Sequence, residues 1–279
     1  MVGQAPRRRG SAVRMTPILR VQGIVKTYGA VTALDGVTFD VARGSITGLI
    51  GPNGSGKTTL FDCISGFQRR DAGHAWLRPG ERGAVELTSL APVRVARARV
   101  RRTFQQLKVF TGLSVRDNLL TAAQSAPGFS AFAEVLRVSR VREHERAMRE
   151  RAAGMLEEFA LTQHADDPAG SLSYGQRKLL ELAMALMTDP EVLLLDEPVA
   201  GVNPTLIGAL KQHLVQVRDR GVTLLIVEHN LELVFELCER IFVLDRGRLL
   251  TSGAPREVAH DPRVLEAYLG VKSAARLNG

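Results

Sequence analysis

Gly51-Pro52-Asn53-Gly54-Ser55-Gly56-Lys57-Thr58-Thr59 follows directly on the apolar run Ile46-Thr47-Gly48-Leu49-Ile50. The spacing G-x-x-x-x-G-K-[ST] after a buried strand is a physical device for holding a polyphosphate. Its glycines let the backbone curl so that successive N–H groups point inward as an anion nest. A helix starting near Lys57 adds the positive end of its dipole. Lys57 can then reach the β- and γ-phosphates, and the Thr58 hydroxyl can complete a Mg²⁺ shell. A glycine-rich turn could match the pattern by chance, but the flanking strand and helix signals favour a nucleotide site.

Working outward, Ile18 to Thr27 and Val37 to Val41 read as short strands separated by turn chemistry at Tyr28-Gly29 and Asp35-Gly36. The stretch from Gly73 to Leu87 is strand-like, broken by Pro79-Gly80 and Arg82-Gly83. Between about Leu113 and Ala169 the pattern changes to helix-forming Ala, Leu, Glu and Arg, with Val115 to Ala123 and Ala131 to Phe159 as helices. Strand and helix then alternate: Glu191 to Leu195, Leu206 to Arg218, Val222 to Val227, Leu231 to Cys238, Ile241 to Leu244 and Arg248 to Thr251. That rhythm predicts an α/β fold with a mainly parallel sheet covered by helices.

Composition sets wider bounds. The chain has 279 residues, 45% hydrophobic and 24% charged, as in an ordinary globular protein. No apolar run approaches the ~18–20 residues of a membrane span, and no apolar segment follows Arg7-Arg8-Arg9 to make a secretory signal. Cys63 and Cys238 read as buried reduced thiols in a reducing cytoplasm. The formal charge of +8 is carried in part by Arg7 to Arg9 and by the run Arg94, Arg97, Arg99, Arg101, Arg102. Such a surface suits nucleic acid, anionic headgroups or polyphosphates, and equally describes a solvated face. Residues 1–14 read as a basic disordered tail.

Val192-Leu193-Leu194-Leu195-Asp196-Glu197-Pro198 ends a buried strand on two carboxylates. In a parallel sheet ligands gather at the carboxyl ends of strands, which would set this pair beside the phosphate loop. Asp196 then suits Mg²⁺, directly or through water, and Glu197 can polarise an attacking water. Taken alone, the pair could equally cap a helix. Leu172-Ser173-Tyr174-Gly175-Gln176 precedes a helix over Arg177 to Met187, with Ser173 as a natural N-cap and an apolar face of Leu179, Leu182, Ala183 and Leu186.

Five motifs now stand in one order: the phosphate loop, Gln105 in Thr103-Phe104-Gln105, Leu172 to Gln176, Asp196-Glu197, and His229 in Val227-Glu228-His229-Asn230. From about Ile18 to Gly270 the chain resembles the ATP-binding subunits of ABC transporters. The resemblance implies a P-loop NTPase fold of ABC type. Its sheet core would carry an antiparallel β subdomain and a helical subdomain inserted over about 107–175, within one domain at 15–270 and before a tail at 271–279. It implies ATP and Mg²⁺ as ligands, with Tyr28 stacked on adenine and Gly51, Pro52, Asn53, Gly54, Ser55, Gly56, Lys57, Thr58 and Thr59 around the phosphates. Thr58, Gln105 and Asp196 would face the metal. Lys57, Gln105, Glu197 and His229 would serve hydrolysis, with His229 on the γ-phosphate. Ser173, Tyr174, Gly175 and Gln176 would complete the site of a second subunit in trans.

Two departures narrow the match. Tyr174 stands where the family signature has Gly, and the loop after the acidic pair reads Ala200-Gly201-Val202-Asn203-Pro204 rather than ending in Asp. Both are similar to the branched-chain amino acid importer ATPases, as is Ala267-Tyr268-Leu269-Gly270 after Gly253-Ala254-Pro255. The expected partners are a second ATPase subunit, two transmembrane permeases and, indirectly, a solute-binding protein, at the cytoplasmic face of the inner membrane. Urea-importer and lipopolysaccharide-extraction ATPases are the near alternatives. A soluble ABC ATPase acting on nucleic acid is the distant one, since such proteins carry two ATPase domains or long coiled-coil insertions.

Overall fold

The computed structural model describes residues 16–103, 108–123 and 138–268. Two sheets carry the fold. The first is antiparallel, in the order β2-β1-β4-β5, from β1 (Pro17–Tyr28), β2 (Val31–Ala42), β4 (Ala72–Leu77) and β5 (Val85–Glu86). The second takes in β3 (Ile46–Ile50), β6 (Val100–Arg102), β7 (Val192–Asp196), β8 (Thr223–Val227), β9 (Arg240–Asp245) and β10 (Arg248–Gly253). Its order is β10-β9-β3-β8-β7-β6, parallel throughout except for the β9–β10 hairpin.

β3, β7 and β8 are buried at every position, as runs such as Val-Leu-Leu-Leu and Leu-Leu-Ile-Val must be when both faces are covered. Successive side chains serve opposite faces. Leu193, Leu195, Leu224 and Ile226 join one core with the helices α3 (Val115–Ala123), α4 (Val138–Glu158), α5 (Tyr174–Leu186) and α6 (Pro204–Asp219). Val192, Leu194, Leu225 and Val227 join the other, with the antiparallel sheet and α1 (Lys57–Ile64). α3 and α4 lie between β6 and β7 in the chain. No described helix is long and apolar enough to cross a membrane.

Three expectations need correction. The turn expected at Asp35-Gly36 lies inside β2, which runs from Val31 to Ala42, whereas the stretch from Gly73 breaks as expected into β4 and β5 before a 3₁₀ turn at Leu87–Ser89. The helix expected from Arg177 begins at Tyr174, because Ser173 and Gln176 form a reciprocal capping box that satisfies the first N–H groups. The basic run is not one solvated face. It breaks into a short helix, α2 (Pro92–Arg97), and the edge strand β6, and only Arg94, Arg97 and Arg99 are exposed. Arg101 donates to Thr188 Oγ1 at 2.6 Å, and Arg102 turns inward.

Both cysteines are buried free thiols, as expected. Burial pushes Cys63 up to about 11 and Cys238 up to about 12, which leaves them as inert packing groups.

Candidate functional site

Adjacent parallel strands bring their carboxyl ends together. Leu49 of β3 is level with Val227 of β8, and Val227 with Asp196 of β7. Arg102 of β6 is level with Leu194, two residues before Asp196. The phosphate loop, Asp196-Glu197, Glu228-His229 and Arg102-Thr103 therefore meet along one edge of the sheet.

The loop conformation is glycine chemistry. Gly51 has φ 153°, and a Cβ there would fall 2.0 Å from the Leu244 carbonyl oxygen. Gly56, at φ 104°, sits in the N-cap position of α1, and its Cβ would meet the Ala33 oxygen at 2.5 Å. The second contact holds the loop against the β1–β2 hairpin, in which Tyr28 pairs with Val31. Tyr28 is 46% exposed there, with the Lys26 ammonium 5.3 Å from its ring centre. Tyr28 thus carries a half-exposed aromatic ring on that hairpin.

Lys57 is buried, and its ammonium donates to the Gly51 and Pro52 carbonyls at 2.8 and 2.9 Å and to Ser55 Oγ at 3.4 Å. Burial lowers its pKa, against the pull of Glu197 and Asp196. The cation is thus tethered inside the loop by neutral oxygens, which phosphate oxygens can replace.

Glu197 adopts φ 50°, uncommon for a side chain with a Cβ, and its N–H donates to the Val227 carbonyl at 2.9 Å. His229 Nε2 lies 3.2 Å from Glu197 Oε1, so two residues expected at the γ-phosphate stand in contact across β7 and β8. Asp196 is buried, and its Oδ2 accepts from Arg102 at 2.9 Å. Burial raises its pKa, and the Arg102 guanidinium opposes that rise. Among the described residues no group of three or more His, Cys, Asp or Glu could hold a metal. The oxygens on hand, the Thr58 hydroxyl and one carboxylate, are instead the hard, sparse set that suits Mg²⁺ completed by water and phosphates.

Ser173, Tyr174, Gly175 and Gln176 form the first turn of α5 and its cap. Asn203 Oδ1 accepts the Thr205 N–H at 3.0 Å as N-cap of α6, which gives that side chain a job within its own subunit. Gln105 lies outside the described residues, as do Leu269 and Gly270 of the C-terminal motif.

Two site residues escaped the sequence reading. Glu228 is buried, with Oε1 accepting the Val199 N–H at 2.9 Å and Oε2 accepting those of His229 and Asn230 at 3.0 and 3.2 Å. It joins the loop after Glu197 to the loop bearing His229. Arg102 bridges Asp196 and Asp62. Their places next to His229 and two residues before Phe104 were the only signals available.

Comparison with known proteins agrees with this geometry. The ABC transporter family matches residues 34–200, and the family described as branched-chain amino acid ATP-binding cassette transporter matches residues 248–274. The chain is 37% identical over 255 residues to the high-affinity branched-chain amino acid transport ATP-binding protein LivG of Salmonella typhimurium, covering 91% of this chain and 98% of that protein. It is 38% identical to BraF of Pseudomonas aeruginosa, with the same coverage. An ATP-binding cassette of an ABC transporter, solved in its ADP conformation, superposes with TM-score 0.78 at 36% identity, covering 91% of this chain and 99% of that one. A nucleotide-free cassette gives 0.77 at 35%, covering 90% and 98%. The chain belongs to the ABC transporter family, as one of its ATP-binding, ATP-hydrolysing subunits.

Proposed function

We propose that this subunit powers an importer of branched-chain amino acids from the cytoplasmic face of the inner membrane. The observation that carries the catalytic part is the meeting of Lys57, Asp196, Glu197 and His229 along one edge of the parallel sheet. The cargo rests on the C-terminal match over 248–274 and on the LivG and BraF relatives.

ATP lies with its base on Tyr28 and its phosphates in the Gly51–Thr59 loop. The loop N–H groups and Lys57, released from the Gly51 and Pro52 carbonyls, take the β- and γ-phosphates. Thr58, Asp196 and Gln105 would hold Mg²⁺, which would neutralise charge on the phosphates. Glu197 orients the attacking water and His229 contacts the γ-phosphate, so hydrolysis is catalysed by position and charge more than by covalent chemistry. Ser173, Tyr174, Gly175 and Gln176 close over the nucleotide of a second ATPase subunit. The helices α3 and α4, in the stretch expected as the inserted helical subdomain, would meet two transmembrane permeases, and Gln105 would sense them.

Glu197→Gln tests the chemistry: ATP binding is retained, turnover stops and a closed dimer accumulates on gel filtration with ATP. Turnover near the wild-type rate would remove Glu197 from its role. Purification in mild detergent tests the assembly. Two permeases are expected to accompany the chain, and leucine with its binding protein to stimulate ATP hydrolysis. Stimulation by nucleic acid with no permease recovered would overturn the transporter reading, whereas stimulation by urea would overturn only the cargo.

A further inference from the structure

Arg102 sits on an edge strand, yet its side chain is only 5% exposed. One arm of the guanidinium donates to Asp196 Oδ2 at 2.9 Å. The other reaches Asp62 Oδ1 at 2.5 Å and Ser65 Oγ at 3.2 Å. The Phe61 ring lies 5.6 Å from its central carbon, a cation–π distance. Thr103, the next residue, receives the Asp196 N–H on its hydroxyl at 3.3 Å.

Asp62 is four residues after Thr58 on α1, so the two share a helix face one turn apart. Arg102 therefore ties together two of the elements assigned to the metal: α1 with Thr58 and β7 with Asp196. We propose that Arg102 is the positioning residue of the Mg²⁺ site, a guanidinium clamp that fixes the Asp196 carboxylate relative to Thr58. The proposal rests on the reading of Asp196 and Thr58 as metal-facing groups.

The physical reason lies in what Asp196 would otherwise do. A buried carboxylate without a partner swings toward water or another donor, and that displacement spoils it as a ligand. Arg102 holds Oδ2, and the carboxylate so fixed would serve the metal. A planar fork suits this task, since it can meet two carboxylates at fixed angles. Lysine, a point charge, would neutralise Asp196 without fixing it to Asp62.

The test is equilibrium binding of a fluorescent ATP analogue across a Mg²⁺ titration, with Mn²⁺ bound in the presence of ATP counted by electron paramagnetic resonance. In Arg102→Met the Mg²⁺ needed for half-maximal nucleotide retention is expected to rise about 10- to 100-fold, as for other lost supports of metal ligands, while binding in EDTA stays within about threefold. Arg102→Lys recovers part of the loss. Asp62→Asn, which keeps the Asp196 arm, gives a smaller rise and serves if Arg102→Met does not fold. An unchanged Mg²⁺ requirement in the folded variants overturns the clamp. A lower requirement overturns it too, by making Arg102 a competitor for the metal. Wild-type protein that failed to bind nucleotide at all would instead overturn the functional reading beneath it.

Discussion

Replacing Glu228 with Gln removes one oxygen from a carboxylate that accepts three backbone N–H groups. An amide has one acceptor, and its NH₂ end repels a donor. In its better orientation Gln keeps the His229 and Asn230 contacts and turns its NH₂ on the Val199 N–H. The lost bond leaves a buried donor unpaired, at about 1–3 kcal/mol, and the surviving bonds lose their charge assistance. Burial already pushes the Glu228 carboxyl above its ordinary range, against the three donors, so removing the charge also relieves a desolvation cost. Global stability should therefore move little while the loop after Glu197 loses its tether to the His229 loop. A loosening of about 1.5–3 kcal/mol, felt when Glu197 and His229 must act together, corresponds to a fall in kcat of roughly 10- to 150-fold. Because the Glu228 carboxylate is buried and engaged by three backbone N–H groups, KM for ATP should stay within about threefold of wild type. Steady-state hydrolysis and a melting curve measure both quantities. A kcat within twofold of wild type, or a KM that rises in step with the loss of kcat, would refute the tether.

Tyr28→Ala should weaken ATP binding by roughly 1–3 kcal/mol, or about 5- to 150-fold in Kd, if stacking here resembles that of bases on aromatic side chains. Phe and Trp should be tolerated, and equal affinity for all variants in a calorimetric titration would reduce Tyr28 to a turn residue. His213 stacks on Phe159 with ring centres 4.5 Å apart, and burial holds its imidazole below its ordinary value, outweighing the attraction of Glu158. The folded state then binds fewer protons than the unfolded one, so this contribution is present above about pH 6.5 and lost as pH falls through it. Urea unfolding at about pH 7.5 and 5.5 should show a smaller acid-side loss in His213→Phe than in wild type, and an equal loss would clear His213 of any part in it.

The parts of this chain that were legible in its sequence share a property: their chemistry is local. The phosphate loop needs glycines at fixed spacing because its own backbone does the binding, and Gly51 and Gly56 occupy conformations that neighbouring carbonyls forbid to other residues. β7 and β8 were legible because a strand buried on both faces must be apolar throughout. Arg102 and Glu228 were hidden because each works through partners distant in sequence. Asp62 lies 40 residues from Arg102, Asp196 lies 94, and Val199 lies 29 from Glu228. A charged residue at a strand end reads as surface unless the fold supplies its counter-ion. β6 was lost for a related reason, since a three-residue edge strand with two arginines carries no apolar run at all.

The first departure from the family pattern packs on the loop that carries the second. Gly201 stands at φ 70°, and a Cβ added there would come within 3.2 Å of Tyr174 Cε1, so the tyrosine ring covers the backbone of the loop that follows Glu197. One residue on, a Cβ at Gly175 would strike Leu206 Cδ2 at 2.1 Å, in the first turn of α6. The start of α5 therefore rests on the 201–206 segment through a large residue set against a small one at each point. A tyrosine in the signature needs a residue without a side chain beneath it, and Ala200-Gly201 supplies it. Asn203 completes the unit by capping α6 through Thr205. Tyr174 in one motif thus meets Gly201 in the other, a contact between the turn that carries Ser173 and the loop that follows Glu197. A movement of either loop is then felt by the other through van der Waals contact alone.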